Sequence, residues 1–314
     1  MKFGYILLAL LISFCFSLDL KAQWDGQVSQ YWKVKTFFNP AFAAEKDSLQ
    51  ATLMHRQQWV GVEHAPKTFI MSADMPLNFL GRKHGVGILA MTESVGLFKN
   101  ASVGGQYVYK KRWKKNVLNV GVQVGFTSIG FDASAIRIPE GQKGEMGDIP
   151  SATEQTKVFD GNIGLAWVAP KYYIGVSSTH ITEPSFEIDE GGATSIARIY
   201  YFTAGYNIRL RNPMYELQPS VLVKTDNVVV KYDVTARVVY NKMFNGGVTW
   251  RKDDGFVFLL GINIFGIDAG YAYDVSNSDI AKASGGSHEF FVRYAMPIKL
   301  TKSGQNSHKS VRIL

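Results

Sequence analysis

The sequence holds six histidines, one cysteine and 26 acidic residues, the side chains most able to carry catalysis or bind a metal. His55, His64, His84, His180, His288 and His308 are scattered along the chain. No two have the spacing that sets a pair of zinc ligands on one helical face. Serine hydrolysis needs a serine, a histidine and an acid brought together, and no G-x-S-x-G run is present. His64 and His180, near acidic loop residues, are the only candidates for a hydrolytic role. A lone histidine is more often structural. Gly104-Gly105 and Gly191-Gly192 read as strand or turn glycines rather than a nucleotide loop. No enzyme activity, cofactor, metal or nucleic-acid partner is expected.

The remaining charged residues follow a different pattern. From Val228 to Tyr240, Val230, Tyr232, Val234, Ala236 and Val238 fall on one side of an extended chain. Lys231, Asp233, Thr235 and Arg237 fall on the other. A period of two belongs to a strand, and the length suits a tilted strand crossing a bilayer, which takes roughly 9–11 residues.

An export signal precedes this pattern. Met1-Lys2, the apolar run from Ile6 to Phe16 and Leu20-Lys21-Ala22 predict a secretory signal peptide over residues 1–22. Cys15 lies inside it, so the mature chain is expected to have no disulfide, thiol nucleophile or cysteine metal site. No later apolar run is long enough for a transmembrane helix. The chain is 13% aromatic with 30 glycines, which fits a β-barrel better than a helical fold.

Alternating segments predict strands over 49–59, 67–77, 85–92, 101–111, 117–126, 161–168, 172–179, 200–210, 215–224, 228–240, 246–251, 256–265, 267–274 and 288–298. The fold class expected is therefore all-β, an antiparallel transmembrane barrel of about fourteen strands in the outer membrane. Residues 23–48, which do not alternate, form a periplasmic or lumen segment. Residues 49–298 form the barrel, and residues 299–314 a basic periplasmic tail.

Barrels of this kind have short periplasmic turns and longer outer loops. Counting alternately from the first hairpin places the connections at 80–84, 110–116, 170–171, 211–213, 241–244 and 266, all of them short, on one side, and the three long ones, 132–160, 180–198 and 274–287, on the other. The short turns carry Arg82, Lys83, Lys110, Lys111, Arg112, Lys114, Lys115, Lys171, Arg211 and Lys242, and neither they nor the tail contain an acidic residue. Glu140, Glu145, Asp148, Glu154, Glu183, Glu187, Asp189 and Glu190 lie in the long loops. A single-sign field steers association, so the basic turns are the candidate docking surface for an acidic partner. Simple solvation is the alternative reading. Inside the barrel, Arg56 with Asp74, and Glu289 and Arg293 beside Lys231, Asp233 and Arg237, predict a lumen charge network, because buried charges need partners. Trp59 suits an aromatic girdle.

Three runs near the N-terminus carry a resemblance: Phe38-Asn39-Pro40-Ala41-Phe42-Ala43; His55-Arg56-Gln57-Gln58-Trp59-Val60-Gly61 followed by Ala65-Pro66-Lys67-Thr68; and Ser72-Ala73-Asp74-Met75-Pro76-Leu77. Together with Gly270-Tyr271-Ala272-Tyr273-Asp274 and Gly286-Ser287-His288-Glu289, they resemble the PorP/SprF family. The resemblance implies a non-enzymatic outer-membrane component of the type IX secretion system, linked in some members to gliding motility. The partners it implies, besides outer-membrane lipid, are a periplasmic ring lipoprotein and its partner, a peptidoglycan-binding periplasmic protein, or the C-terminal domain of a secreted adhesin. The alternative is a passive outer-membrane channel for small solutes.

Overall fold

A computed structural model describes residues 25–79, 81–131, 155–188, 192–277 and 283–298. The predicted signal peptide, the basic tail and the acidic residues from Glu140 to Glu154 lie outside them, as do Asp189 and Glu190.

The strands appear where alternation places them. In order they are β1 (Ser48–Gln57), β2 (Lys67–Phe79), β3 (Arg82–Val95), β4 (Phe98–Trp113), β5 (Asn116–Phe131), β6 (Gln155–Val168) and β7 (Tyr172–Thr179). A separate small hairpin follows, β8 (Ser185–Ile188) with β9 (Gly192–Ser195). Then come β10 (Ile199–Tyr206), the two-residue β11 (Ile208–Arg209) that prolongs it, β12 (Tyr215–Thr225), β13 (Val230–Tyr240), β14 (Phe244–Arg251), β15 (Gly255–Ile264), β16 (Ile267–Ser276) and β17 (Ser287–Pro297). Each barrel strand pairs antiparallel with the next, β7 with β10 past the small hairpin and β10 with β12, and β1 closes on β17. The result is a closed barrel of fourteen strands.

Closure removes the exposed sheet edges that a bilayer could not satisfy. The two faces then follow from the period of two. Along β1 the odd-even pattern of burial is strict, with Thr52, Met54 and Arg56 buried and Ala51, Leu53 and His55 exposed. Leu53, Phe126, Leu260 and Val292 are among many large apolar side chains on the outer face, where lipid rather than water is the natural solvent.

Two boundary shifts bear on the expected site residues, besides that of β3, which starts at Arg82 and so takes Arg82 and Lys83 into the strand. Strands β4 and β5 run on to a turn at Lys114-Lys115, so Lys110, Lys111 and Arg112 are strand residues. Strand β6 starts at Gln155, which moves Asp160 from the long loop onto an inward strand position. In both cases cross-strand pairing continues after the hydrophobic alternation has faded, since a ladder needs only backbone partners.

The lumen is filled. Residues 25–47 thread through it, with a short helix α1 (Lys35–Phe38) and a 3-10 turn (Pro40–Phe42) capped by the Asn39 side chain on the Ala41 amide, 2.9 Å. Tyr31, Trp32, Val34, Phe37 and Phe38 pack with inward Met54, Ile70, Leu89, Val257 and Phe291 into one hydrophobic core. A buried aromatic or aliphatic side chain of this size contributes roughly 1.5–3 kcal/mol. The wall opposite is built from glycine where the plug comes closest: a Cβ on Gly121 would overlap the Ala41 backbone, and one on Gly164 would overlap the Asn39 side chain. Replacing Gly121 by alanine is expected to cost about 1–3 kcal/mol through overpacking. A lowered urea midpoint in detergent, with the strand signal retained in circular dichroism, checks it.

Candidate functional site

The plug is fixed at three levels, and each uses side chains from strands far apart in sequence. At the long-loop end, Asp25 accepts from His180 Nε2 at 3.0 Å, from Tyr201 at 2.5 Å and from Thr179 at 3.2 Å. The other ring nitrogen, Nδ1, bonds the Asp160 carboxylate. Burial alone would lower the His180 pKa, but the charge of Asp25 and the bonds to Asp160 and Asp25 outweigh it, and the imidazole is pushed up to about 10. For Asp25, burial works upward, and the His180 charge with the bonds from His180 and Tyr201 brings the carboxyl down to about 2.

The sign of the resulting pH dependence follows. His180 has a folded-state pKa above its ordinary 6.5, so its contribution is complete below that value and is lost as pH rises through about 10. The Asp25 contribution is present above 3.8 and is lost as pH falls through about 2. Unfolding midpoints measured from pH 6 to pH 10 should therefore fall with rising pH in the wild type, and less so in His180→Gln.

At mid-height, the amides of Ser29 and Gln30 both donate to Glu289, each at 2.7 Å. Arg56 donates to Asp274 at 2.7 Å and to the Ser29 hydroxyl at 2.8 Å, and its guanidinium lies 3.6 Å from Glu289. Arg251 bridges Asp274 at 2.8 Å and Asp233 at 3.2 Å. All of these side chains are buried. Below them Tyr31 reaches Ser220 and Thr235, and Lys33 pairs with Asp268 at 2.6 Å.

At the short-turn end, Asn39 donates to the carbonyls of Leu165 and Val176 at 3.1 Å each. Asp74 accepts from the Ala44 amide at 2.7 Å, and Lys110 donates to the Ala44 carbonyl. Lys35 pairs with Glu45.

These contacts revise the expected network. Arg56 does not pair with Asp74. Arg56 stands opposite Glu289, whereas Asp74 stands opposite Gln50, six positions away along β1, or about 20 Å. Register therefore hands Arg56 to β16 and β17, and Asp74 to the plug. Lys231 is exposed at the long-loop rim. Arg237 and Arg293 sit lower, on Gln218 at 2.8 Å and Thr52 at 3.0 Å, so they do not join Asp233 and Glu289. Arg251 and Asp274, missing from the expected set, are central to it. Both occupy inward positions by the same period of two, which was the available signal.

The basic turn residues all lie at one end of the barrel. Arg82, Lys111, Arg112, Lys114, Lys115, Lys171, Arg211 and Lys242 are exposed there. Lys110 is turned inward onto the plug, and Lys83 pairs with Asp47 at 2.9 Å. A cavity of about 590 Å³ opens among Arg82, Lys83, Lys110, Lys111 and Arg112, with Glu45 and Asp47 on its wall. The end is thus basic but not free of acid, since the plug delivers two carboxylates as it leaves the lumen. As for chemistry, both ring nitrogens of His180 are engaged by carboxylates, and His64 stands exposed, 3.6 Å from Glu63. Among the described residues no cluster of histidine and acidic side chains is placed to hold a metal ion.

A plugged fourteen-strand barrel with this N-terminal segment matches one family model, that of the type IX secretion system membrane protein PorP/SprF, over residues 20–294. The chain belongs to the PorP/SprF family. The match takes in the plug and all but the last three residues of β17, so the family sequence covers the lumen filling as well as the wall. No curated protein matches the chain. Solved structures of similar shape include the Ralstonia pickettii toluene transporter TbuX, 12% identical over 84% of this chain and 93% of its own, with a TM-score of 0.49. A Pseudomonas aeruginosa FadL homologue is 14% identical over 84% and 94%, with a TM-score of 0.47. The P. putida toluene transporter TodX is 9% identical over 84% and 93%, also at 0.47. At these values, nothing about function passes from those barrels to this PorP/SprF member.

Proposed function

We propose that this PorP/SprF protein is a non-enzymatic outer-membrane component of the type IX secretion machinery that holds periplasmic partners at the membrane through its basic short-turn end. The filled lumen carries the reading. Residues 25–47 are bonded to wall side chains at the long-loop end, at mid-height and at the short-turn end, which leaves little continuous path for a solute. The short-turn end offers exposed cations around a cavity of about 590 Å³. Oriented by loop length, that end faces the periplasm. The partners proposed are a ring lipoprotein and its companion, a peptidoglycan-binding protein, or the C-terminal domain of a secreted adhesin, with gliding motility as one process served.

The test is a pull-down of the detergent-solubilised protein, tagged in a long loop, from native membranes. Recovery of stoichiometric periplasmic proteins supports an assembly component. Recovery of the barrel alone, together with steady ion conductance in a bilayer, favours the solute-channel reading.

A further inference from the structure

The lower lumen holds two arginines without a counter-ion. A chamber of about 300 Å³ lies between the plug and the wall, lined among others by Lys33, Lys35, Arg237, Arg293, Glu45 and Asp268. Of its other charges, Lys33 pairs with Asp268 and Lys35 with Glu45, Asp74 accepts from the Ala44 amide, and Lys46 is exposed. Arg237 touches neutral groups, the Gln218 side chain at 2.8 Å and the face of Trp32 at 4.2 Å, with the Asp268 and Glu216 carboxylates beyond ion-pair distance. Its Nε is buried with no partner. Arg293 makes a single bond through Nε to the Thr52 hydroxyl at 3.0 Å. Among the described residues neither guanidinium has a carboxylate within 4.0 Å. Arg237 is buried and Arg293 half-buried, and a cation in that state is costly unless something else supplies the anion.

We propose that this chamber receives an acidic polypeptide segment of a periplasmic partner, whose carboxylates pair with Arg237 and Arg293. The proposal rests on the reading that the short-turn end docks such a partner. The reach is short. Arg237 is three residues from the end of β13 and Arg293 four from the end of β17, or about 10 and 13 Å of strand. An extended segment of about four residues covers that depth.

Charge selects the occupant. The chain's own 299–314 tail carries Lys299, Lys302, Lys309 and Arg312 and no acid, so the basic mouth repels it. A phospholipid headgroup would have to draw its acyl chains into a polar lumen, at a cost of about 0.8 kcal/mol for each CH₂ taken out of hydrocarbon. An aspartate- or glutamate-rich peptide is drawn in by the exposed cations at the rim and ends on guanidinium groups suited to bidentate carboxylate bonds.

Fluorescein-labelled hexaglutamate, titrated by anisotropy into the purified full-length protein in detergent, tests this. Saturable binding that weakens with salt is expected. Gln218→Glu hands Arg237 a carboxylate from its own neighbour, at the cost of the bond that the Gln218 amide donates to Glu216 at 2.7 Å, and it should weaken binding about tenfold. Arg293→Gln should do the same, with the unfolding midpoint of each variant reported alongside. Equal affinity in the wild type and both variants would overturn the chamber, even if native partners are still captured by the rim. Displacement of the peptide by inorganic phosphate at matched concentration would overturn the assignment to polypeptide and leave a small-anion site. Peptide binding with the predicted dependence, in a protein that captures no native partner, would support the chamber and count against the docking reading alone.

Discussion

Arg56→Leu should destabilise the folded barrel by about 3–5 kcal/mol, among the largest losses from a single substitution in this protein. The Arg56 side chain is 2% exposed, and it joins the wall to the plug through Asp274, Glu289 and the Ser29 hydroxyl. Removing it leaves two buried carboxylates with less positive charge between them. Arg251 still covers Asp274, so Glu289 loses most. Its remaining donors are the amides of Ser29 and Gln30, which belong to the plug. The loss should therefore appear twice, as a lower urea midpoint and as easier proteolysis within residues 25–47. Arg56→Lys keeps a charge but not the planar fork, and should fall between the wild type and Arg56→Leu. Arg112→Leu, on the exposed rim, should change stability by less than about 0.5 kcal/mol.

Reversing Lys111, Arg112, Lys114 and Lys115 to glutamate should reduce periplasmic partner capture more than about tenfold, because like charges across an interface repel and the long-range attraction changes sign. Lys110 is left in place, since it serves the plug through the Ala44 carbonyl. Folding should be unaffected: all four side chains are exposed, and surface charges contribute little to stability. Capture by the wild type should also decline with salt as the Debye length shortens below about 10 Å. Reversal of Lys67, Lys99, Lys157 and Lys231, exposed at the long-loop end, is the matched control and should leave capture unchanged. Equal loss in the control would make the effect one of net charge, not of a docking end.

What could be read in the sequence was whatever local alternation controls. Lys231, Asp233, Thr235 and Arg237 in β13 announce an inward polar face within a few residues, and the same rule places the strands and the short turns. The plug was not legible in that way. Residues 25–47 have no period of two because their environment is a ring of wall side chains rather than two flat faces. Nothing in the sequence around Gly121 and Gly164 announces the Ala41 backbone and the Asn39 side chain that crowd them. Charge pairing was hidden for a different reason. Arg56 meets Asp274 and Glu289 only because β1 closes against β17, a contact across more than two hundred residues that alternation cannot specify. Asp160 lies just before the alternation that starts at Gly161, and Asp274 lies near the end of β16, where alternation fades. The basic end was visible turn by turn, but Glu45 and Asp47, brought there by the plug, were not.

The central claim is that the lumen is closed by residues 25–47, so that the protein works by docking and not by conducting. The most direct measurement is ion conductance of the purified wild-type protein in a planar bilayer, with insertion verified by a fluorophore on a long loop. The account predicts inserted protein without steady conductance, and steady conductance in a version lacking residues 26–44. Steady open-pore conductance from the inserted wild type would contradict it.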